Sequence, residues 1–245
     1  MTVEPSGVAQ RRAEIVHNLA QVRGRVASAA AASGRDAAAV TLVAVTKTFP
    51  ASDARLLVEA GVPDLGENRD QEARPKAAEL ATDGLTAQWH FVGRLQRNKC
   101  RSVAGYAAMV QSVDRPSLVS ALDSAVASVG RAPLPVLIQL SVDGDVARGG
   151  VVESQDESLA ERVLTSPNLR LAGVMAVAPR DWEPDRAFAA VAERSGRLRR
   201  LAPEATVVSA GMSGDFEAAI AHGSTMIRLG AKLLGRREQV GYPGR

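Results

Sequence analysis

Short runs of β-branched and apolar residues alternate with Ala-rich amphipathic segments from about residue 40 onward, and this rhythm constrains the chain more than any single motif. The runs are VTLVAV (40–45), the brief DLG (64–66), QWHFVG (88–93), AMVQSV (108–113), PVLIQL (135–140), RLAGVMAV (170–177), ATVVSAG (205–211) and TMIRLG (225–230). Helical periodicity falls between them, at 52–60, 116–129, 154–164, 185–201 and 215–222. Near-continuous apolar strands separated by helices are the pattern of a parallel sheet covered on its faces. Aromatic residues make up only 3% of the chain, so the core must be built from Ala, Val and Leu, which suits that architecture. Eight such units in 245 residues predict an α/β fold, a single (β/α)₈ TIM-type barrel, which typically takes about 250 residues. An open doubly wound sheet is the alternative, but the chain has no GxGxxG fingerprint of the dinucleotide-binding kind. From about 5 to 32, Val8, Ile15, Leu19, Val22 and Val26 recur at helical steps, and SGRD (33–36) stops the pattern. This predicts an extra N-terminal helix (about 1–34) packed on the barrel, with a flexible tail at about 236–245.

Composition removes several classes. One cysteine, Cys100, excludes an internal disulfide and a cysteine-cluster metal site. The N-terminus lacks an apolar signal core and no stretch is long and apolar enough for a membrane span, so a cytoplasmic protein without membrane contact is expected. The formal charge of +3, from 30 basic and 27 acidic residues, gives little reason to expect nucleic acid. Arg94, Arg97, Lys99 and Arg101 fall at uneven spacing with no interleaved aromatics and read as a solvated helix face or an anion rim. His17, His90 and His222 share no metal-ligand spacing, and no metal is expected.

Barrel chemistry sits at the C-terminal ends of the strands, which selects the residues to weigh. Lys47 follows a strand of almost pure apolar character. Either it leaves the strand for solvent, or partial desolvation favours its neutral amine for attack on a carbonyl. The loop SAGMSG (209–214), and RLGA (228–231) one unit later, place small residues after strands seven and eight, where barrels often hold phosphate. Such loops are also common as plain turns. Arg228 lies inside an apolar strand and must be matched either by a carboxylate or by a ligand.

AVTKTFP, DLGENRDQEARPKAAEL, WHFVGRLQRNK, QSVDRPSLVSALD, ARGGV, LAGVMAVAP and SAGMSGDFEAAIAHGSTMIRLGAKLLG follow one another in order from about 40 to 235. In these motifs the chain resembles the pyridoxal phosphate homeostasis protein family. The resemblance implies a fold similar to the barrel domain of bacterial alanine racemase without its C-terminal β domain. It implies pyridoxal 5′-phosphate (PLP) as the cofactor, with an internal aldimine on Lys47. Asn68 would lie near the cofactor, Ser209, Gly230 and Ala231 around its phosphate, Met212 and Ser213 in the same loop, and His90 and Arg94 at a neighbouring rim. Arg228 would face the pyridine nitrogen and, as a donor only, keep it unprotonated. The chain departs from the family pattern at Ala231, often Ser or Thr; at Arg94, often Pro; and at Ala210, often Met.

Racemisation on PLP needs an acid/base group on each face. The tyrosine that serves alanine racemases comes from their second domain, and the two tyrosines here, Tyr106 and Tyr242, lie in no motif. The expectation is therefore a PLP carrier or reservoir rather than an enzyme, a monomer in transient contact with apo PLP-dependent enzymes. A PLP-dependent amino-acid racemase, using water or His90 as second base, is the alternative. Arg94 and Arg148 are candidates for drawing the phosphate in electrostatically.

Overall fold

The computed structural model describes residues 6–235. The chain opens with α1 (Ser6–Ala32), followed by β1 (Thr41–Val45), α2 (Ala51–Glu59), β2 (Asp64–Glu67), α3 (Asp70–Thr82), β3 (Gln88–Phe91), α4 (Cys100–Tyr106) and β4 (Ala107–Val113). The second half runs α5 (Pro116–Val129), β5 (Leu134–Leu140), α6 (Asp156–Leu164), β6 (Leu169–Ala176), α7 (Pro184–Leu201), β7 (Val207–Ser209), α8 (Phe216–Ala221), β8 (Met226–Leu229) and α9 (Ala231–Leu234). Each strand pairs in parallel with the next, and β8 returns to β1 with Thr41 opposite Met226 and Ala44 opposite Leu229. The sheet is a closed eight-stranded barrel, as the strand rhythm predicts.

Four strands, β1, β3, β7 and β8, are shorter than their apolar runs. β7 keeps only Val207–Ser209, because the chain turns at Ala205 and Thr206 before it and enters a positive φ of 95° at Gly211 after it. β3 stops at Phe91, and two residues on a Cβ added to Gly93 would lie 2.2 Å from the carbonyl oxygen of Asn68. α3 hides from apolar periodicity for a different reason. Its buried face is Asp70, Ala73, Lys76 and Leu80, so half of that face is charged.

α1 lays Ile15, Leu19, Val22, Val26 and Ala30 into a cluster with Leu57, Phe216, Ile220, Ile227 and Leu233. Val8 does not join this face: it is 44% exposed, on the first turn beyond the contact. Polar groups fix how α1 sits. Asn18 Nδ2 donates to the carbonyl of Leu233 (3.0 Å) and Arg11 Nη2 to that of Leu234 (3.0 Å), satisfying carbonyls at the end of α9. Arg35, just past α1, donates to the carbonyls of Ile220 and Ser224 at 2.8 Å each. None of the described helices is long and apolar enough to cross a membrane. The expected tail at 236–245 lies outside the described residues.

Two buried ion pairs stand behind the strand ends. On α7, Arg194 holds Asp156 through Nε (2.7 Å) and Nη2 (2.6 Å) and also donates to the carbonyls of Ser141 and Val151, clasping the long loop after β5. On α3, Lys76 Nζ donates to Glu67 Oε1 (2.6 Å) and to the carbonyl of Thr46 (2.8 Å), while the Thr46 hydroxyl donates to the same carboxylate oxygen (2.7 Å). Burial pushes the Glu67 carboxyl up, and Lys76 and Thr46 pull it back toward ionisation. Lys76→Met strands that carboxylate without a counter-charge, which should cost about 3–5 kcal/mol in denaturant unfolding, with Lys76→Met/Glu67→Gln recovering much of it. The sign with pH follows from a folded-state pKa above the unfolded value. The Lys76→Met deficit should grow as pH rises above the ordinary carboxylate range, and chemical denaturation at several pH values measures it.

Candidate functional site

Strands that run parallel around a closed barrel deliver all their C-terminal ends to one rim, and a cavity of about 570 Å³ opens there. Val45, Lys47 and Phe49 enter it from the end of β1, Asn68 from β2, Val92 and Gly93 from β3, and Met175 and Val177 from β6. Met212 and Ser213 follow β7, and Arg228, Gly230, Ala231 and Gly235 come from β8 and beyond. A larger groove of about 920 Å³ lies on the outer surface between α1 and α8, away from the strand ends.

Lys47 is half-buried and is gripped on both sides by its backbone neighbours. Thr46 before it is fully buried, its N–H on the carbonyl of Gly66 (3.0 Å) and its hydroxyl on Glu67. Thr48 after it has φ 68°, the one non-glycine residue in the left-handed region among the described residues. Such a conformation costs about 1–3 kcal/mol and needs outside support. The Thr48 N–H donates to Glu72 Oε2 (2.8 Å), and the Phe49 N–H closes the turn on the carbonyl of Thr46 (3.0 Å). At the end of the neighbouring strand β2, Asn68 is wedged by Gly93, where only a missing Cβ permits the approach.

Arg228 is almost wholly buried. Its Nη1 donates to the carbonyl (2.7 Å) and hydroxyl (2.6 Å) of Ser209, and its Nη2 to the carbonyl of Ala176 (2.8 Å). Burial lowers its pKa to about 10, with Asp215 opposing, so it stays protonated at neutral pH. Of the alternatives left by the sequence, a carboxylate partner is not found: none of the ion pairs among the described residues includes Arg228. Three of a guanidinium's five N–H groups are used, leaving two for a ligand.

Ser209 and His90 sit behind the cavity wall rather than in its lining. The Ser209 hydroxyl donates to Gln111 Oε1 (2.7 Å), Gln111 Nε2 meets His90 Nδ1 (2.9 Å), and His90 Nε2 meets Asp64 Oδ1 (2.9 Å). Gln111 is the functional candidate that sequence reading passes over. Its signal is one amide in the middle of the apolar run AMVQSV. In the loop after β7, Gly211 is packed so closely that an added Cβ would lie 2.7 Å from Ala219 Cβ. The Met212 N–H is taken by Asp215 Oδ1 (2.6 Å), and the Ser213 side chain faces the cavity beside Gly230 and Ala231.

The remaining candidates lie elsewhere. Arg94, Arg97 and Arg101 are exposed and outside the lining, and Lys99 faces Asp70 at 3.7 Å. Arg148 is ion-paired with Asp143 and Asp145 of its own loop. Cys100 is buried, and desolvation pushes its thiol up to about 11, against any lowering by its basic neighbours. His17 bonds Gln21 and His222 bonds Asp185, both at 2.9 Å. Among the described residues no group of three or more His, Cys, Asp or Glu is placed to hold a metal ion.

Among the described residues the lining carries two cations, Lys47 and Arg228, one carboxamide and one hydroxyl. That donor set fits a small anion bearing a carbonyl group, in a cavity of small-molecule size. Residues 11–238 match the family profile described as alanine racemase, N-terminal domain, and the closed barrel is of that class. The chain is 42% identical over 240 residues to the pyridoxal phosphate homeostasis protein of Mycobacterium leprae, covering 92% of this chain and 93% of that one. It therefore belongs to the pyridoxal phosphate homeostasis protein family. PipY of Synechococcus elongatus PCC7942, solved with PLP bound, superposes with a TM-score of 0.78 at 32% identity, covering 90% of this chain and 100% of that one. Alanine racemase of Corynebacterium glutamicum, 18% identical with a TM-score of 0.65, shares the fold over 91% of this chain and 60% of its own.

Two outcomes are expected. Gly93→Ala must push Asn68 aside, so it should open the cavity and destabilise the protein by about 1–3 kcal/mol, measured by thermal melting. Cys100 should resist a thiol-specific disulfide reagent at pH 8 in the native protein and react fully in denaturant, because burial keeps the thiolate population low.

Proposed function

We propose that the chain binds PLP at the strand-end cavity and serves PLP homeostasis as a carrier or reservoir. The observation that carries this reading is the cavity's pairing of an amine on a constrained turn with a buried guanidinium. PLP, when bound, supplies an aldehyde that amines capture and a ring that accepts electrons. Lys47 would hold the aldehyde. Arg228 would meet the ring nitrogen, where a group that only donates would leave no proton on it and weaken the ring as an electron acceptor. Ser213, Gly230 and Ala231, which line the cavity, would take the phosphate with the backbone around them. Ala231 has no hydroxyl to offer there, so the phosphate contact falls to Ser213 and main-chain N–H groups. Asn68 would contribute an amide from the neighbouring strand end.

Binding is favoured over amino-acid racemisation because, among the described lining residues, no His, Tyr, Cys, Asp or Glu stands opposite Lys47 as a second acid/base group. Tyr106 is half-buried away from the cavity, and burial pushes its phenol up; Tyr242 lies outside the described residues. His90, the other candidate base, is buried between Gln111 and Asp64. The same reading makes the protein a cytoplasmic monomer that passes PLP to apo-enzymes in transient encounters.

Incubation with PLP should give a near-stoichiometric absorption band near ~420 nm that borohydride fixes covalently on Lys47, and Lys47→Ala should lose it. The loaded protein should leave the configuration of L- and D-alanine unchanged. No band in excess PLP would end the binding reading, and steady amino-acid turnover would favour the racemase.

A further inference from the structure

Behind the cavity, four buried side chains and one half-exposed carboxylate form an unbroken hydrogen-bonded line across the barrel interior. Arg228 Nη1 donates to Ser209 Oγ at 2.6 Å, and the single hydroxyl hydrogen of Ser209 goes on to Gln111 Oε1 at 2.7 Å. An amide nitrogen can only donate, so Gln111 Nε2 gives a hydrogen to His90 Nδ1 at 2.9 Å. That leaves the ring hydrogen on Nε2, which donates to Asp64 Oδ1 at 2.9 Å. Every link therefore points the same way, from the cation to the carboxylate. The spare amide hydrogen of Gln111 meets Met226 Sδ at 3.1 Å.

The line's location gives it consequence. Ser209 and Gln111 are wholly buried and His90 and Arg228 nearly so, so water does not compete for the links. Asp64 opens β2 at the opposite end of the barrel from the cavity. Arg228 has no carboxylate in contact, and this line is its hydrogen-bonded route to one. Buried chains of aligned hydrogen bonds polarise one another, and a guanidinium tethered at a single nitrogen pair has little freedom to turn.

We propose that Gln111, His90 and Asp64 are positioning residues for Arg228, holding the guanidinium at the angle and donor strength with which it meets the ligand. The proposal rests on the PLP-binding reading and extends it to residues that do not touch the ligand. Gln111→Leu cuts the line on both sides. In PLP titrations of the folded protein it should weaken binding on the order of tenfold and shift the band of the bound cofactor. Asp64→Asn keeps an acceptor but removes the charge at the far end. It should give a smaller loss, of about two- to fivefold, with a shift of the same sign. Nitrogen-15 NMR of the wild-type protein should find His90 neutral and protonated on Nε2. Wild-type affinity and band position in both variants, or a proton on Nδ1, would overturn the relay. Should Gln111→Leu fail to fold, Asp64→Asn at the half-exposed end decides the matter. If wild-type protein takes up no PLP, the functional reading fails instead, and the His90 tautomer still tests the direction of the line.

Discussion

Closure of the barrel is the constraint on which the rest depends. β8 pairs with β7 on one side and with β1 on the other, and this last pairing turns a sheet with two edges into a ring with none. The ring seals its interior against water. Any polar group inside must then find its partner inside, and Arg228 lies on the very strand that makes the closure. Ser209, Gln111 and His90 are the partners the interior offers, each satisfied by the next. The polar line is thus a consequence of placing one guanidinium in a closed barrel, and it fixes the back of the cavity.

The front of the cavity is fixed differently. Lys47 and Asn68 sit on turns just past β1 and β2, where the sheet no longer dictates conformation. Their order comes from what surrounds them. Glu72 supports the positive φ of Thr48, Lys76 and Glu67 lock Thr46, and Gly93 presses against the Asn68 backbone. All three supports come from α3 or the segments beside it, so a helix with a charged inner face acts as the brace of the site. Such a brace costs stability to desolvate and returns geometric definition where a ligand must be held.

Much of the architecture was legible in the chain. Eight apolar runs mark the eight strands because each is buried on both faces and tolerates few polar residues. Lys47 and Arg228 stand out for the same reason, as charges at the end of or within such runs. Ser209, expected around the phosphate, and His90, expected at a neighbouring rim, were legible as residues of interest, and both lie behind the cavity wall. Asp64 and the Glu67–Lys76 pair carry no local mark and Gln111 only an amide in an apolar run, because each gains its role from a partner on another strand or helix. Val8 fits the helical period of α1 and is nonetheless exposed, since periodicity reports a face and not where the neighbour ends.

The sequence by itself determined the repeat, the closed-barrel class and the strand ends at which an amine and a guanidinium would converge. These follow from patterns of burial written over a few residues at a time. Tertiary structure alone decided which polar side chains meet. The direction of the line from Arg228 to Asp64, the brace beneath Lys47 and the approach of Gly93 to Asn68 all depend on distances between segments far apart in the chain, which local periodicity does not encode.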